Sequence, residues 1–154
     1  MAVARVDSGN EGSERHGQPG RTGVPPASRW NRSLGSLGHF LRLPLFVVDA
    51  EGNLAYFNEA AEPLLGGPYA ELGPLPAEEW STLWAPTDVE GTPLPFERLP
   101  IIVALRERRP MHGWLRIVGL DGVRRPIEAT AFPVEGPDGT VEGAAALFWE
   151  QMDL

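Results

Sequence analysis

The last third of the chain leaves little freedom about its fold. Three strand-length runs, Met111 to Leu120, Val123 to Val134 and Thr140 to Trp149, are separated by Asp121-Gly122 and by Glu135-Gly136-Pro137-Asp138-Gly139. Asp-Gly between apolar runs is a strong short-range hairpin signal, because the pair suits the tight turns that join antiparallel strands. The three runs are therefore predicted to form an antiparallel meander.

The earlier chain supplies two more strands and the helices. Leu45-Phe46-Val47-Val48 is a β-branched and aromatic run that stops at Asp49-Ala50-Glu51-Gly52, and Leu54-Ala55-Tyr56-Phe57 reads as its return strand. Asn58 is the expected N-cap of a short helix through Ala60, Ala61, Leu64 and Leu65, closed by Gly66-Gly67. Between Pro68 and Pro95 the chain is Pro-rich, with one aromatic island, Trp80 to Trp84, assigned to a short helix between Pro76 and Pro86. Phe96 to Arg109 is predicted to be the longest helix of this part, with Pro100 tolerated in its first turn. The result is an α+β chain, a five-stranded antiparallel sheet with its helices on one face.

Residues 1–27 carry almost no large apolar group and cannot offset the entropy of ordering, so they are expected to be a disordered tail. Residues 28–42 are predicted to be an amphipathic flanking helix, because Trp30, Leu34, Leu37 and Leu41 recur at spacings of four, three and four. Gly35 and Gly38 each cost about 1 kcal/mol of helix propensity, so this helix needs a packing partner. Residues 43–150 then form the main domain, and 151–154 the C-terminal end.

Charge and composition exclude whole classes of function. Thirteen arginines, no lysine and 21 acidic residues give a net charge of -8, which disfavours nucleic acid and anionic membrane surfaces as partners. With no cysteine, disulfides, thiolate metal sites, thiol nucleophiles and cysteine-linked chromophores are ruled out. The first residues lack the apolar stretch of a secretory signal, and the expected location is cytoplasmic.

Several motifs, in order and with suitable spacing, resemble a PAS domain from about Leu43 to Trp149. They are Pro44 to Asp49 with Gly52, Phe57-Asn58-Glu59-Ala60-Ala61-Glu62 with Leu65-Gly66, and Gly91-Thr92-Pro93-Leu94-Pro95 with Pro100 and Ala104-Leu105. The closing set is Leu120-Asp121-Gly122, Ala131-Phe132-Pro133-Val134, Asp138-Gly139 and Val141-Glu142-Gly143. The resemblance implies a sensory or interaction module that holds a small ligand between helices and sheet, or pairs with a protein across the outer face of the sheet. The family's usual exit motif is replaced by Glu150-Gln151-Met152-Asp153-Leu154, so the effector is expected to be a signalling protein in trans, unless the sequence is a truncated member.

The resemblance also frames the cofactor question. Its flavin photoreceptors and cinnamoyl-type members bind through a cysteine, which this chain lacks. Its haem-binding members place an axial histidine on the longest helix; Phe96 to Arg109 has none, and His112 lies just beyond it, so haem is disfavoured. Trp80, Trp84 and Trp114 are candidates to line a pocket and stack on a planar ligand, together with Leu99, Ile102, Val103 and Ile127, although a filled core is the plainer reading of the same tryptophans. Arg116 is a candidate for a bidentate contact to a ligand carboxylate or phosphate. The other arginines, Arg106, Arg108, Arg109, Arg124 and Arg125, are expected on a solvated face or in ion pairs with Glu107 and Glu128. Trp30, Leu34, Leu37, Leu41 and Trp149 are the interface candidates, and a homodimer is the leading expectation.

No nucleophile constellation, phosphate-cradling loop or three-ligand metal set is present in the sequence. The expectation is a non-catalytic PAS-like sensor or adaptor. The competing reading is a small α+β enzyme with a pocket between helix and sheet, for which His112 with Glu128 is the one acid-base pair to nominate. A ligand-free structural interaction module with a filled interior is the third.

Overall fold

The computed structural model describes residues 42–152. The flanking-helix expectation for 28–42, and with it Trp30, Leu34, Leu37 and Leu41, lies almost wholly outside these described residues, as does the tail.

Five strands form one antiparallel sheet: β1 (Leu45–Asp49), β2 (Leu54–Phe57), β3 (Met111–Val118), β4 (Arg124–Glu135) and β5 (Val141–Glu150). Their spatial order is β2-β1-β5-β4-β3, so the N-proximal hairpin joins the C-terminal meander through the β1–β5 pair. Phe46 faces Ala146 across that seam and Val48 faces Ala144. The expected five-stranded sheet is the one observed.

All three hairpins close with the same five-residue hydrogen-bonded turn, which in the β1–β2 hairpin begins at the last residue of β1. In the β3–β4 turn Gly122 N donates to Gly119 O at 2.8 Å, and Gly119 N reaches across to Val123 O at 2.9 Å. Gly122 sits at φ +79°, the left-handed position that follows the turn, where a glycine carries no Cβ penalty. The same bonds recur at Asp49 to Asn53 and at Gly136 to Thr140. Asp121 and Asp138 support their turns by accepting the backbone N–H two residues on.

Between β2 and β3 lie the helices. Asn58 caps a 3-10 turn (Glu59–Ala61) that runs into α1 (Glu62–Leu65), which ends at Gly66 in the left-handed conformation. A short helix, α2 (Tyr69–Leu72), follows; nothing in the sequence reading anticipated it. The aromatic island forms α3 (Ala77–Leu83). The long helix expected over Phe96 to Arg109 is instead a 3-10 turn (Phe96–Arg98) and α4 (Pro100–Glu107). Proline disfavours the α conformation of its predecessor. Leu99 is accordingly extended, at φ -62° and ψ 133°, and divides the two pieces.

The sheet's inner face and these helices enclose the main core, which includes Phe46, Phe57, Trp80, Trp84, Ile102 and Phe148. A second, smaller cluster lies on the other side of the sheet: Leu45, Val47 and Ala145 are buried there against Tyr56, Phe132, Val134 and Leu147. Neither sheet edge is left fully open. Leu54 on β2 exchanges both backbone bonds with Leu75, and Arg116 on β3 does so with Thr87. Among the described residues no helix is long and apolar enough to cross a membrane.

Candidate functional site

A cavity of about 100 Å³ lies between the inner face of the sheet and α3 and α4. Period-two alternation decides which strand residues reach it. On β3 the inward residues are Leu115 and Ile117; on β4, Ile127 and Ala129; on β5, Ala146 and Phe148. Trp80 and Trp84 form the wall toward α3, and Leu99, Pro100 and Ile101 the wall toward α4.

Both indoles are fixed by their own polar atoms. Trp80 Nε1 donates to Gly52 O and Trp84 Nε1 to Leu65 O, each at 2.9 Å. Phe46 stands between the two rings, edge-on, with centroids 5.1 Å from Trp80 and 5.9 Å from Trp84. Such contacts fix aromatic orientation beyond what area burial alone provides.

Of the eight pocket residues proposed from sequence, Trp80, Trp84, Leu99 and Ile127 lie around this cavity. Ile102 is fully buried but faces Gly52 and Phe96, where it borders a surface hollow beside Arg106. Val103 is half-buried and outside the lining. Trp114 and Arg116 require correction: with Leu115 and Ile117 inward, strand alternation sends both to the opposite face, and Trp114 is 52% exposed. Phe46, Leu65, Leu115, Ile117 and the two alanines were missed. The parity of β3 offered a signal for Leu115 and Ile117.

His112 and Glu128 do meet, Nε2 to Oε1 at 2.9 Å, but not beside the cavity. They lie on the outer face, where His112 Nδ1 is 2.7 Å from Thr130 Oγ1 and Glu128 also accepts from Trp149 Nε1 and Gln151 Nε2. An acid-base pair for a helix-sheet pocket had to be buried and turned inward. The His112 side chain is instead 42% exposed on the other side of the sheet. Glu128 thus pairs with histidine rather than arginine, whereas Arg109 meets Glu107 at 2.7 Å and Arg125 meets Asp121 at 2.6 Å. The Arg125 hydrogen bond holds the Asp121 carboxyl down at about 2.

No protein-family model matches the sequence, and no curated protein matches it either. Solved structures do. A PAS domain from Colwellia psychrerythraea superposes with a TM-score of 0.58 at 19% identity, covering 78% of this chain and 95% of that one. A PAS domain from Bordetella pertussis BvgS gives 0.58 at 16% identity, with coverage of 82% and 89%. The fold is a PAS fold. The LOV protein of Rhodobacter sphaeroides is similar too, with a TM-score of 0.62, 15% identity and coverage of 80% and 68%. At these identities the likeness concerns the fold.

The cysteine-linked flavin of light-sensing PAS domains does not fit the residues present. No cysteine exists to bond it, and a three-ring system exceeds a cavity of about 100 Å³. The lining also carries no polar side-chain atom other than the two engaged indole N–H groups.

Proposed function

We propose that this chain is a cytoplasmic, non-catalytic PAS-type sensory module, in which the state of the inner cavity sets what rests on the outer face of the same sheet. The observation that carries this reading is the pairing of two apolar regions across one layer. Ala129 and Ala146 border the cavity on the inner side, while their neighbours Thr130, Ala145 and Leu147 point to the outer side. A ligand that shifts β4 and β5 from inside changes the outer surface as well, since strands transmit displacement through packed, bistable contacts.

The occupant proposed for the outer face is the segment 28–42 of this chain. Its stripe of Trp30, Leu34, Leu37 and Leu41 ends just before β1, whose Leu45 and Val47 belong to the outer apolar cluster. Released from the sheet, the same stripe would pair with a second copy or with a signalling protein in trans. Trp149, half-buried on the outer face beside His112, borders the region such a partner would cover. The cavity itself speaks against a module whose interior is filled.

Deletion of residues 1–42 is expected to change the oligomeric state in sedimentation velocity. An unaltered profile would overturn the proposed role of the segment.

A further inference from the structure

We propose that the cavity takes an uncharged, hydrocarbon-like ligand of about one aromatic ring, a class that neither flavin nor haem represents. This inference rests on the sensory reading above and names the ligand class for the same cavity.

Three observations carry it. The first is chemical: every side chain in the lining is apolar except for the two indoles, whose N–H groups already donate at 2.9 Å to Gly52 O and Leu65 O. A carboxylate, phosphate or amide buried here would leave its water without gaining a partner, an unfavourable exchange for any polar group. The second is size. Ligand sites for drug-sized molecules run from ~300 Å³ upward, whereas a dry cavity of ~150 Å³ walled by leucine, isoleucine and phenylalanine holds benzene or xenon. At about 100 Å³ this cavity belongs with the second kind.

The third observation is how the space arises. Ala129 and Ala146 border the space beside Ile127 and Phe148, within a patch of small inner-face residues that also holds Ala131 and Ala144. A larger aliphatic residue at either bordering alanine would reach into the space. Access fits the same picture. Pro86 is the one half-exposed member of the lining, and it follows Ala85, which sits at φ +41°.

The test uses the purified full chain and its tryptophan emission, since Trp80 and Trp84 face the cavity. Toluene is the probe, with benzoate and benzylammonium as charged single-ring comparisons. Toluene is expected to give a saturable change, and each charged analogue a response at least tenfold weaker. Ala129→Leu is expected to weaken the toluene response at least tenfold without lowering the melting temperature; Ala146→Val provides the same comparison if the leucine variant does not fold. No saturable toluene response, equal binding of benzoate, or unchanged affinity in both folded variants would overturn the proposed class. Native mass spectrometry separates the two readings. A charged or polar molecule retained by the protein would overturn the hydrocarbon class and leave the sensory reading standing, whereas an unaltered sedimentation profile of the 1–42 deletion overturns the role proposed for that segment and leaves the ligand class standing.

Discussion

Asn58 holds Leu45 by both of its backbone groups. Its Oδ1 accepts the Leu45 N–H at 2.9 Å, and its own N–H donates to Leu45 O at 3.1 Å. The same side chain accepts from Ala61 N and donates through Nδ2 to Leu43 O. One fully buried amide therefore ties the start of β1 to the start of the helical segment. Asn58→Ala strands the buried Leu45 N–H, whereas Ala61 N–H keeps the Asn58 backbone carbonyl and Leu43 is exposed; one buried group left unpaired costs roughly 1–3 kcal/mol. The expected loss is about 2 kcal/mol in urea unfolding, and a midpoint equal to that of the parent would refute this role.

Two glycines separate backbone strain from steric collision. Gly66 and Gly122 are both left-handed, at φ +81° and +79°. A Cβ on Gly66 would lie 2.5 Å from Leu120 N and 2.7 Å from Asp121 N, whereas one on Gly122 would meet nothing within 4 Å. Gly122→Ala should cost about 1–2 kcal/mol, the ordinary penalty of the left-handed region. Gly66→Ala should cost at least twice as much, because it also drives α1 away from the β3–β4 turn. Chemical denaturation of the two variants checks the order, and equal losses would contradict it.

Much of this architecture was legible in the sequence, for identifiable reasons. Asp121-Gly122 and Asp138-Gly139 announced the meander because tight turns need those residues, and Asn58 announced its cap because few side chains can accept from that backbone. The cavity was legible only in part. Trp114 and Arg116 looked like pocket residues by type, but the parity of Leu115 and Ile117 turns them outward. Leu99 before Pro100 delays α4, and Ile101 rather than Val103 comes to the cavity. Ala129 and Ala146 left no mark at all, since they contribute by what they lack. α2, with four residues, is too short to show a helical period.

The two exposures of tryptophan predict opposite responses to truncation. Trp84 is 4% exposed and its N–H donates to Leu65 O; Trp114 is 52% exposed with its ring edge-on to His112 at 5.0 Å. Trp84→Phe removes one of the two donors to Leu65 O, which keeps the Leu120 N–H, and enlarges the cavity, so a loss of about 2 kcal/mol is expected. Trp114→Phe should stay within about 0.5 kcal/mol of the parent, as surface substitutions usually do. Thermal melts of both variants decide the matter, and a Trp114→Phe variant as unstable as Trp84→Phe would place it in the core after all.

The Asp121–Arg125 pair gives a pH dependence with a defined sign. Arg125 Nη1 and Nη2 reach both carboxylate oxygens, and this hydrogen bond, ahead of the Val123 N–H, lowers the Asp121 carboxyl from 3.8 to about 2. A carboxyl that is more acidic when folded stabilises the protein above its unfolded value, and that contribution disappears as pH falls from 3.8 through about 2. Carbon-13 titration should therefore give a midpoint near 2 for Asp121, moving up toward 3.8 in Arg125→Gln. The stability gap between parent and Arg125→Gln should be flat above pH 5 and narrow below pH 4. It should not close completely, because Arg125 Nη1 also donates to Leu64 O, a bond that pairs the β3–β4 hairpin with α1 whatever the charge on Asp121. A gap unchanged on acidification would show that the arginine acts through its bond to Leu64 O rather than through Asp121.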